Sequence, residues 1–328
     1  MHCVTEVLVY LREPERSVLR FDALADISGV AVRGAASIEE ARPFLAAAEV
    51  LITLGPHLAG ESAEILDAMP RLRWVQLITT GTDNVAEHLA GRDVTLTNAH
   101  GLHGRQMSEA ALGAMLALAR GLPRHLRNQE ARVWDRFPAA LLSGKTVGIV
   151  GLGAIAEALA PRCRALGMRV VGITATPRPL ESFDEVRARG DMASALSGVD
   201  HLVLLAPYSA STHRLIEARA LAAMKPGGFV INLARGGVLD EAALVEALDN
   251  GQLAGAALDV FEHEPLPPGD PLWSHPRVIV TPHVGGLHDG YAQDMLALAE
   301  SNLRRFLAGG ADALLNRVEL SKALQHAQ

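Results

Sequence analysis

Residues 146–160 read TVGIVGLGAIAEALA, a short apolar strand pattern followed at once by small residues and a helix pattern. Gly151 permits a tight turn, Gly153 lets the backbone approach a pyrophosphate, and the small Ala156 allows the helix to pack closely against the strand. Free N–H groups at the helix N-terminus would then point at the phosphates. A turn without a ligand would also select small residues, but the strand–turn–helix setting favours a dinucleotide site. Its expected cofactor-binding residues are Gly151, Gly153, Ala154 and Ile155.

Short apolar or β-branched runs alternate with helix-period runs on both sides of this stretch. They form two blocks, separated by an apolar helical region from Ser108 to Ala119, and the second block begins near Lys145. This alternation predicts parallel sheets with crossover helices, and 328 residues suit two domains better than one core. Residues 120–145 contain proline and glycine residues at intervals, as is typical of a surface connection. The last helix is expected at 291–308, stopped by Gly309 and Gly310.

The composition argues against several classes of protein. A formal charge of −7, with acids and bases interspersed, argues against nucleic acid or an anionic membrane as a partner. Cys3 and Cys163 lie far apart in no C-x-x-C pattern, so we expect neither a disulfide framework nor a bound metal. The longest apolar run, Ala110–Ala119, is about half the length that crosses a bilayer, and the N-terminus does not read as a secretion signal. We therefore expect a cytoplasmic protein.

The second strand of the later block, MRVVGIT, bears on the choice between NAD and NADP. An acid about 20 residues past the glycines would bind the ribose of NAD, but this strand ends in Thr174. The segment ATPRP that follows offers Thr176 and Arg178, which would suit a 2′-phosphate. A solvent-exposed loop arginine that binds no ligand would give the same sequence pattern. The sequence therefore predicts NAD(P), with a weak preference for NADP.

Four segments follow one another in order: VGIVGLGAIA, MKPGGFVINLARGGVLDEAALVEAL, AGAALDVFEHEPLP and VIVTPHVGG. On these segments the chain resembles the D-isomer-specific 2-hydroxyacid dehydrogenase family over nearly its whole length. The resemblance implies two Rossmann-like domains, with the cofactor domain inserted into a flavodoxin-like substrate domain. The substrate domain would comprise residues 1–100 and 288–328. The cofactor domain, which begins with a linker and dimerisation helix, would comprise residues 101–287.

Reduction of a 2-keto acid needs a cation for the carboxylate and carbonyl, and a proton donor for the carbonyl oxygen. Arg235 follows the strand GFVINLA, at the edge where open α/β sheets bind ligands, and its planar fork can grip the substrate. A structural salt bridge is the alternative. His283 follows the strand RVIVT and Pro282, and an imidazole changes its protonation near neutral pH. The resemblance implies that His283 is the acid/base residue and that Arg235 binds the substrate.

The resemblance assigns roles to further residues. Glu264, in EHEPLP, would hydrogen-bond His283 and favour its protonated form, although an exposed loop acid would read the same way. The loop LITTGTDNV would hold the substrate carboxylate on backbone amides around Thr80 and Gly81, and here a turn without a ligand is the alternative. The cofactor-binding residues that the resemblance adds are Pro207, Leu233, Gly285 and, near the nicotinamide ring, Asp259.

These observations together predict an enzyme that moves a hydride between NAD(P)H and C2 of a small 2-keto or D-2-hydroxy acid, with glyoxylate or hydroxypyruvate expected first. A non-enzymatic, nucleotide-sensing protein of the co-repressor type stays open, and so does formate dehydrogenation, because both share the fold. The set of Arg235, Glu264 and His283 favours the hydroxyacid enzyme. The helix MSEAALGAMLALARGL is apolar around much of its circumference, which predicts a homodimer.

Overall fold

The computed structural model of this chain describes residues 4–12, 15, 19–82 and 85–320, so Cys3 lies outside the described residues. The chain divides into two units. The first comprises Met1–Leu102 and His288–Gln328, and the second comprises His103–Leu287. The predicted α/β class, with parallel sheets flanked by helices, is confirmed.

Strands and helices alternate along both units, as the hydrophobic periodicity predicts. The strands are β1 (Thr5–Tyr10), β2 (Val30–Ala35), β3 (Val50–Thr53), β4 (Trp74–Leu77), β5 (Thr95–Thr97), β6 (Thr146–Val150), β7 (Arg169–Thr174), β8 (Glu185–Ala188), β9 (His201–Leu204), β10 (Gly228–Asn232), β11 (Leu253–Leu258) and β12 (Val278–Val280). The helices are α1 (Ile38–Leu45), α2 (Ser62–Asp67), α3 (Gly104–Ala119), α4 (Leu122–Glu130), α5 (Ala154–Ala165), α6 (Met192–Leu196), α7 (Ala218–Ala222), α8 (Glu241–Asp249) and α9 (Tyr291–Gly309).

The first unit contains a five-stranded parallel sheet in the order β2-β1-β3-β4-β5. This is the order of flavodoxin-like sheets, and it reverses between β1 and β3. The strands are aligned so that Val7 lies beside Val32 on one side and Val50 on the other. Both Val7 and Val50 are buried, because helices and turns cover both faces of the central strands.

Helix α9 brings the end of the chain back to the first sheet. The ring of Phe306 lies 5.4 Å from that of Trp74, centroid to centroid, within one apolar cluster. Asn302 is fully buried on the same helix, and its amide donates a hydrogen bond to the side-chain oxygen of Gln76 at 2.7 Å. The helix ends at Gly309, one residue beyond the predicted end at residue 308. This packing ties sequence-distant segments into one unit.

The second unit contains a seven-stranded parallel sheet in the order β12-β11-β10-β9-β6-β7-β8. Strand β6 lies beside β9, and the chain builds outward on either side of this pair. Such a reversal opens a crevice at the carboxyl ends of the strands, where ligands bind in sheets of this kind. Ile149 of β6 and Val203 of β9 are fully buried, which fixes the centre of the sheet.

Helices α3 and α4 precede the second sheet and differ in burial. Helix α3 packs Met107, Ala111 and Met115 into the core of the second unit. The expected surface connection of 120–145 contains α4, which has no buried residue. Exposed apolar side chains on and around these helices are Leu116, Leu122, Leu126, Val133, Trp134 and Leu141. Over the described ranges of the chain, no helix is both long and apolar enough to cross a membrane.

Candidate active site

The glycine-rich turn lies at the carboxyl end of β6, in the centre of the second sheet. Gly151 has a φ of 95°, and a Cβ there would come within 2.5 Å of the Ala206 backbone N, so only glycine fits. Gly153 precedes α5, and no described atom lies within 4 Å of the position that its Cβ would take. Ala154 and Ile155 form the first turn of the helix, half-buried. This open space at a helix N-terminus is a cradle that a pyrophosphate would fill, so these residues fit a dinucleotide.

Two arginines, rather than the one considered from sequence, follow the ends of neighbouring strands β7 and β8. Thr174 ends β7, and its carbonyl accepts a hydrogen bond from the Arg189 N–H at 2.9 Å. Arg189 itself is half-buried and donates to the Ser211 hydroxyl at 3.0 Å. Arg178 lies exposed on the loop after β7. Arg189 was missed because it follows the next strand, β8, and only strand pairing places its backbone beside Thr174.

Arg235 follows β10 on a short turn that its neighbours shape. The Asn232 side chain accepts a hydrogen bond from the Ala234 N–H and donates one to the Arg235 carbonyl, each at 3.1 Å. Gly236 packs so tightly that its Cβ would lie 1.8 Å from the Phe261 carbonyl carbon. Asn232 and Gly236 therefore position Arg235, a role that sequence reasoning missed. The available signal was the sequence NLARGG, in which an asparagine stands three residues before the arginine and two glycines follow it.

Glu264 and His283 form a direct pair, with 2.7 Å between Glu264 Oε2 and His283 Nδ1. The Phe261 N–H donates to the other Glu264 oxygen at 3.0 Å, which fixes the carboxylate. Burial raises the pKa of Glu264, but the hydrogen bonds from His283 and Phe261, together with the charges of His283 and Arg235, hold this pKa below its ordinary value. The pair is thus a charged carboxylate against an imidazole whose Nε2 is left for proton exchange.

The other residues expected at the cofactor follow strands of the same sheet. Asp259 directly follows β11, and its carboxylate is buried. It accepts a hydrogen bond from the Gly285 N–H at 2.8 Å, so Asp259 and Gly285 are in direct contact. Leu233 directly follows β10, and Pro207 lies in the loop after β9. All four lie at the carboxyl edge that also carries Arg235.

The expected substrate loop belongs to the first unit. Thr80 and Gly81 follow β4, and the Asn98 side chain donates to the Thr80 carbonyl at 2.8 Å. A Cβ on Gly55, after the neighbouring strand β3, would lie 3.7 Å from the Gly81 carbonyl oxygen. Asn98 and Gly55 therefore shape this loop within its own unit. Asp83 and Asn84, which follow Thr82 in the same loop, lie outside the described residues.

Comparison with known proteins adds a family and named relatives. Residues 112–285 match the family model described as D-isomer specific 2-hydroxyacid dehydrogenase, NAD binding domain. A glyoxylate reductase of Thermococcus gammatolerans is 35% identical over 270 residues, which cover 79% of this chain and 80% of that one. A D-3-phosphoglycerate dehydrogenase of Mycobacterium leprae is 37% identical over 261 residues, 75% of this chain but 47% of its own length. The chain thus spans about half the length of the phosphoglycerate enzyme.

Solved structures are similar over the whole chain. A D-isomer specific 2-hydroxyacid dehydrogenase family protein from Aeromonas salmonicida has a TM-score of 0.85 at 30% identity, covering 96% of this chain and 99% of that one. An NADPH-dependent glyoxylate/hydroxypyruvate reductase from Sinorhizobium meliloti, in complex with NADP and sulfate, has a TM-score of 0.83 at 27% identity. That match covers 97% of this chain and 99% of the other.

Adding a methyl group should lower cofactor affinity at one glycine of the turn and folding stability at the other. Gly153→Ala has room for its Cβ, so the protein should fold normally but lose at least about tenfold in affinity for NADPH, because the methyl fills the phosphate cradle. Gly151→Ala should instead lose about 2 kcal/mol or more of folding free energy, because of its positive φ and its contact with Ala206. Fluorescence titration with NADPH and denaturant unfolding measure the two effects. Normal NADPH affinity in Gly153→Ala would contradict the assignment of the cradle.

Proposed function

Because the chain belongs to the D-isomer specific 2-hydroxyacid dehydrogenases, which are NAD(P)-dependent oxidoreductases, we propose that it reduces a small 2-keto acid to the D-2-hydroxy acid. Glyoxylate and hydroxypyruvate are the proposed substrates. The observation that carries this proposal is the Glu264–His283 pair, 2.7 Å long, at the sheet edge where Arg235 also lies. The names of the Thermococcus and Sinorhizobium relatives support the choice of substrate.

In the proposed mechanism, Arg235 binds the substrate carboxylate and polarises the C2 carbonyl through its planar guanidinium group. Protonated His283 donates its Nε2 proton to the carbonyl oxygen, and Glu264 stabilises the imidazolium from the Nδ1 side. The nicotinamide, when bound, supplies the hydride for C2. In the opposite direction His283 accepts the proton of the hydroxyl group. The backbone amides at Thr80 and Gly81 are proposed to hold the carboxylate.

The cofactor would be held along the carboxyl edge of the second sheet. Gly151, Gly153, Ala154 and Ile155 would receive the pyrophosphate at the N-terminus of α5. Further residues proposed to line the cofactor are Pro207, Leu233, Asp259 and Gly285. The co-repressor alternative is not favoured, because a protein that only senses the nucleotide has no need for the pairing of Glu264 with His283.

A cytoplasmic location is a further part of the proposal. Burial raises the pKa of the Cys163 thiol to about 12, so this cysteine is an unreactive packing residue. A chain whose described cysteine is buried and free needs no oxidising compartment. Fractionation of the source cells, with an antibody against the protein, would test the location.

The proposed mechanism predicts the effect of removing the proton donor. His283→Ala should lower turnover with glyoxylate by about a hundredfold to ten-thousandfold, while NADPH binding is kept, since the ring does not hold the dinucleotide. Arg235→Lys keeps the charge but loses the planar fork, so the KM for the keto acid should rise sharply. Steady-state kinetics and NADPH titration check both variants. Full turnover in His283→Ala would refute the mechanism.

We further propose a preference for NADPH, carried by the arginines after β7 and β8. The missing acid at Thr174 removes the group that would repel a 2′-phosphate. A charge-assisted contact of about 1.5 to 3 kcal/mol from Arg178 would give roughly a tenfold to hundredfold preference. Arg178→Ala should then weaken NADPH selectively, and Thr174→Asp should shift the preference to NADH. Arg189→Ala is the matched variant at the second arginine, whose backbone N–H donates to the Thr174 carbonyl. Equal loss of both cofactors in Arg178→Ala would show that this loop does not read the phosphate.

We also propose that the exposed apolar side chains around α3 and α4 are covered by a second copy of the chain. Leu122 and Leu126 are about half exposed and Trp134 is 92% exposed, which is costly for a monomer. Light scattering at micromolar concentration should give the mass of a dimer. Leu126→Glu should shift it toward the monomer, whereas Leu307→Glu, on α9, should not. A monomeric wild-type mass would refute this assembly.

A further inference from the structure

The backbone of His283 adopts an unusual conformation for a residue with a bulky side chain. Its φ is 53°, in the left-handed region, where a non-glycine residue costs about 1 to 2 kcal/mol. Such a conformation persists only where the surrounding structure determines it. The position of the imidazole depends on this backbone, so whatever holds the backbone also aims the ring.

One residue on the neighbouring strand end holds the chain on both sides of His283. The His283 N–H donates to the Asp259 carbonyl at 2.8 Å. After it, the N–H groups of Val284 and Gly285 donate to the two Asp259 carboxylate oxygens at 3.0 and 2.8 Å. Before it, the Thr281 hydroxyl donates to the same carboxylate at 2.5 Å. Asp259 is 3% exposed, so these bonds form away from bulk water and are correspondingly strong.

The fit around this carboxylate leaves little room for an alternative arrangement. A Cβ on Gly285 would lie 2.9 Å from Asp259 Oδ2, so the chain closes round the carboxylate only with glycine at this position. Two of the three donors to the carboxylate are backbone groups, which any sequence would supply. Thr281 is the remaining donor, and it is the one side chain among them.

From these contacts we propose that Thr281 is a positioning residue. Its hydroxyl bond to Asp259, the Thr281–Asp259 latch, holds His283 in the left-handed conformation from which Nδ1 reaches Glu264. Glu264 is fixed separately, because the Phe261 N–H holds its other oxygen at 3.0 Å. The latch therefore fixes the imidazole half of the pair. This inference rests on the proposed function, in which His283 is the proton donor.

Thr281→Val tests the latch, since valine keeps the branched shape and removes the hydroxyl. Keto-acid turnover should fall about tenfold to a hundredfold, as expected for a misplaced catalytic group, with NADPH affinity kept. Thr281→Ser restores the hydroxyl and should recover most of the turnover. If the valine variant does not fold, Thr281→Ala takes its place.

A double-variant cycle separates positioning from a merely structural role. If Thr281 acts through His283, then Thr281→Val should cause no further loss of turnover in the His283→Ala background. Turnover at the wild-type level in Thr281→Val, or the same fold loss with and without His283, would overturn the proposal. Failure of the proposed function is seen separately, as wild-type protein that reduces no keto acid or as full activity in His283→Ala.

Discussion

All seven strands of the second sheet run in one direction, and this constraint places the part of the candidate site that lies in the second unit. Parallel strands share a carboxyl edge, so the loops after β6, β10, β11 and β12 leave the sheet at the same edge although the chain separates them widely. Gly151, Arg235 and His283 each stand just beyond a strand end. The sheet fixes the order of these residues along one edge, with β6 and β12 four strand positions apart, and short local contacts must do the rest.

Those local contacts divide between backbone and side chain. At Gly151 the absence of a side chain is what permits the turn, because Ala206 leaves no room. At Arg235 the amide of Asn232 closes a small ring of hydrogen bonds around the turn. At His283 a buried carboxylate gathers three donors. Each set of contacts stabilises one conformation of a strained or tight loop. A mobile loop could not hold a side chain in one fixed position.

The sequence predicts this architecture well where a local pattern carries the information. Alternating strand and helix patterns predict two parallel sheets, and the strand–glycine–helix stretch at Gly151 predicts the turn that the structure contains. Contacts between sequence-distant residues are what the sequence leaves hidden. Thr281 and Asp259 follow two neighbouring strands and form a hydrogen bond between them. The Arg189 N–H reaches the Thr174 carbonyl only because β8 pairs with β7. Such partners depend on register, which no local pattern specifies, so the roles of Thr281 and Arg189 emerge only in three dimensions.

The balance of forces on Glu264 decides the charge of this carboxyl group in the proposed catalytic pair. Burial acts to neutralise the carboxyl group, but the hydrogen bonds and neighbouring positive charges act more strongly and lower its pKa. Glu264 therefore keeps its negative charge at neutral pH. In the proposed mechanism, Glu264 therefore orients and stabilises His283 and does not relay its proton. In that mechanism the proton would be replaced on the imidazole itself, and a His283 side chain that is 45% exposed gives water the access this requires.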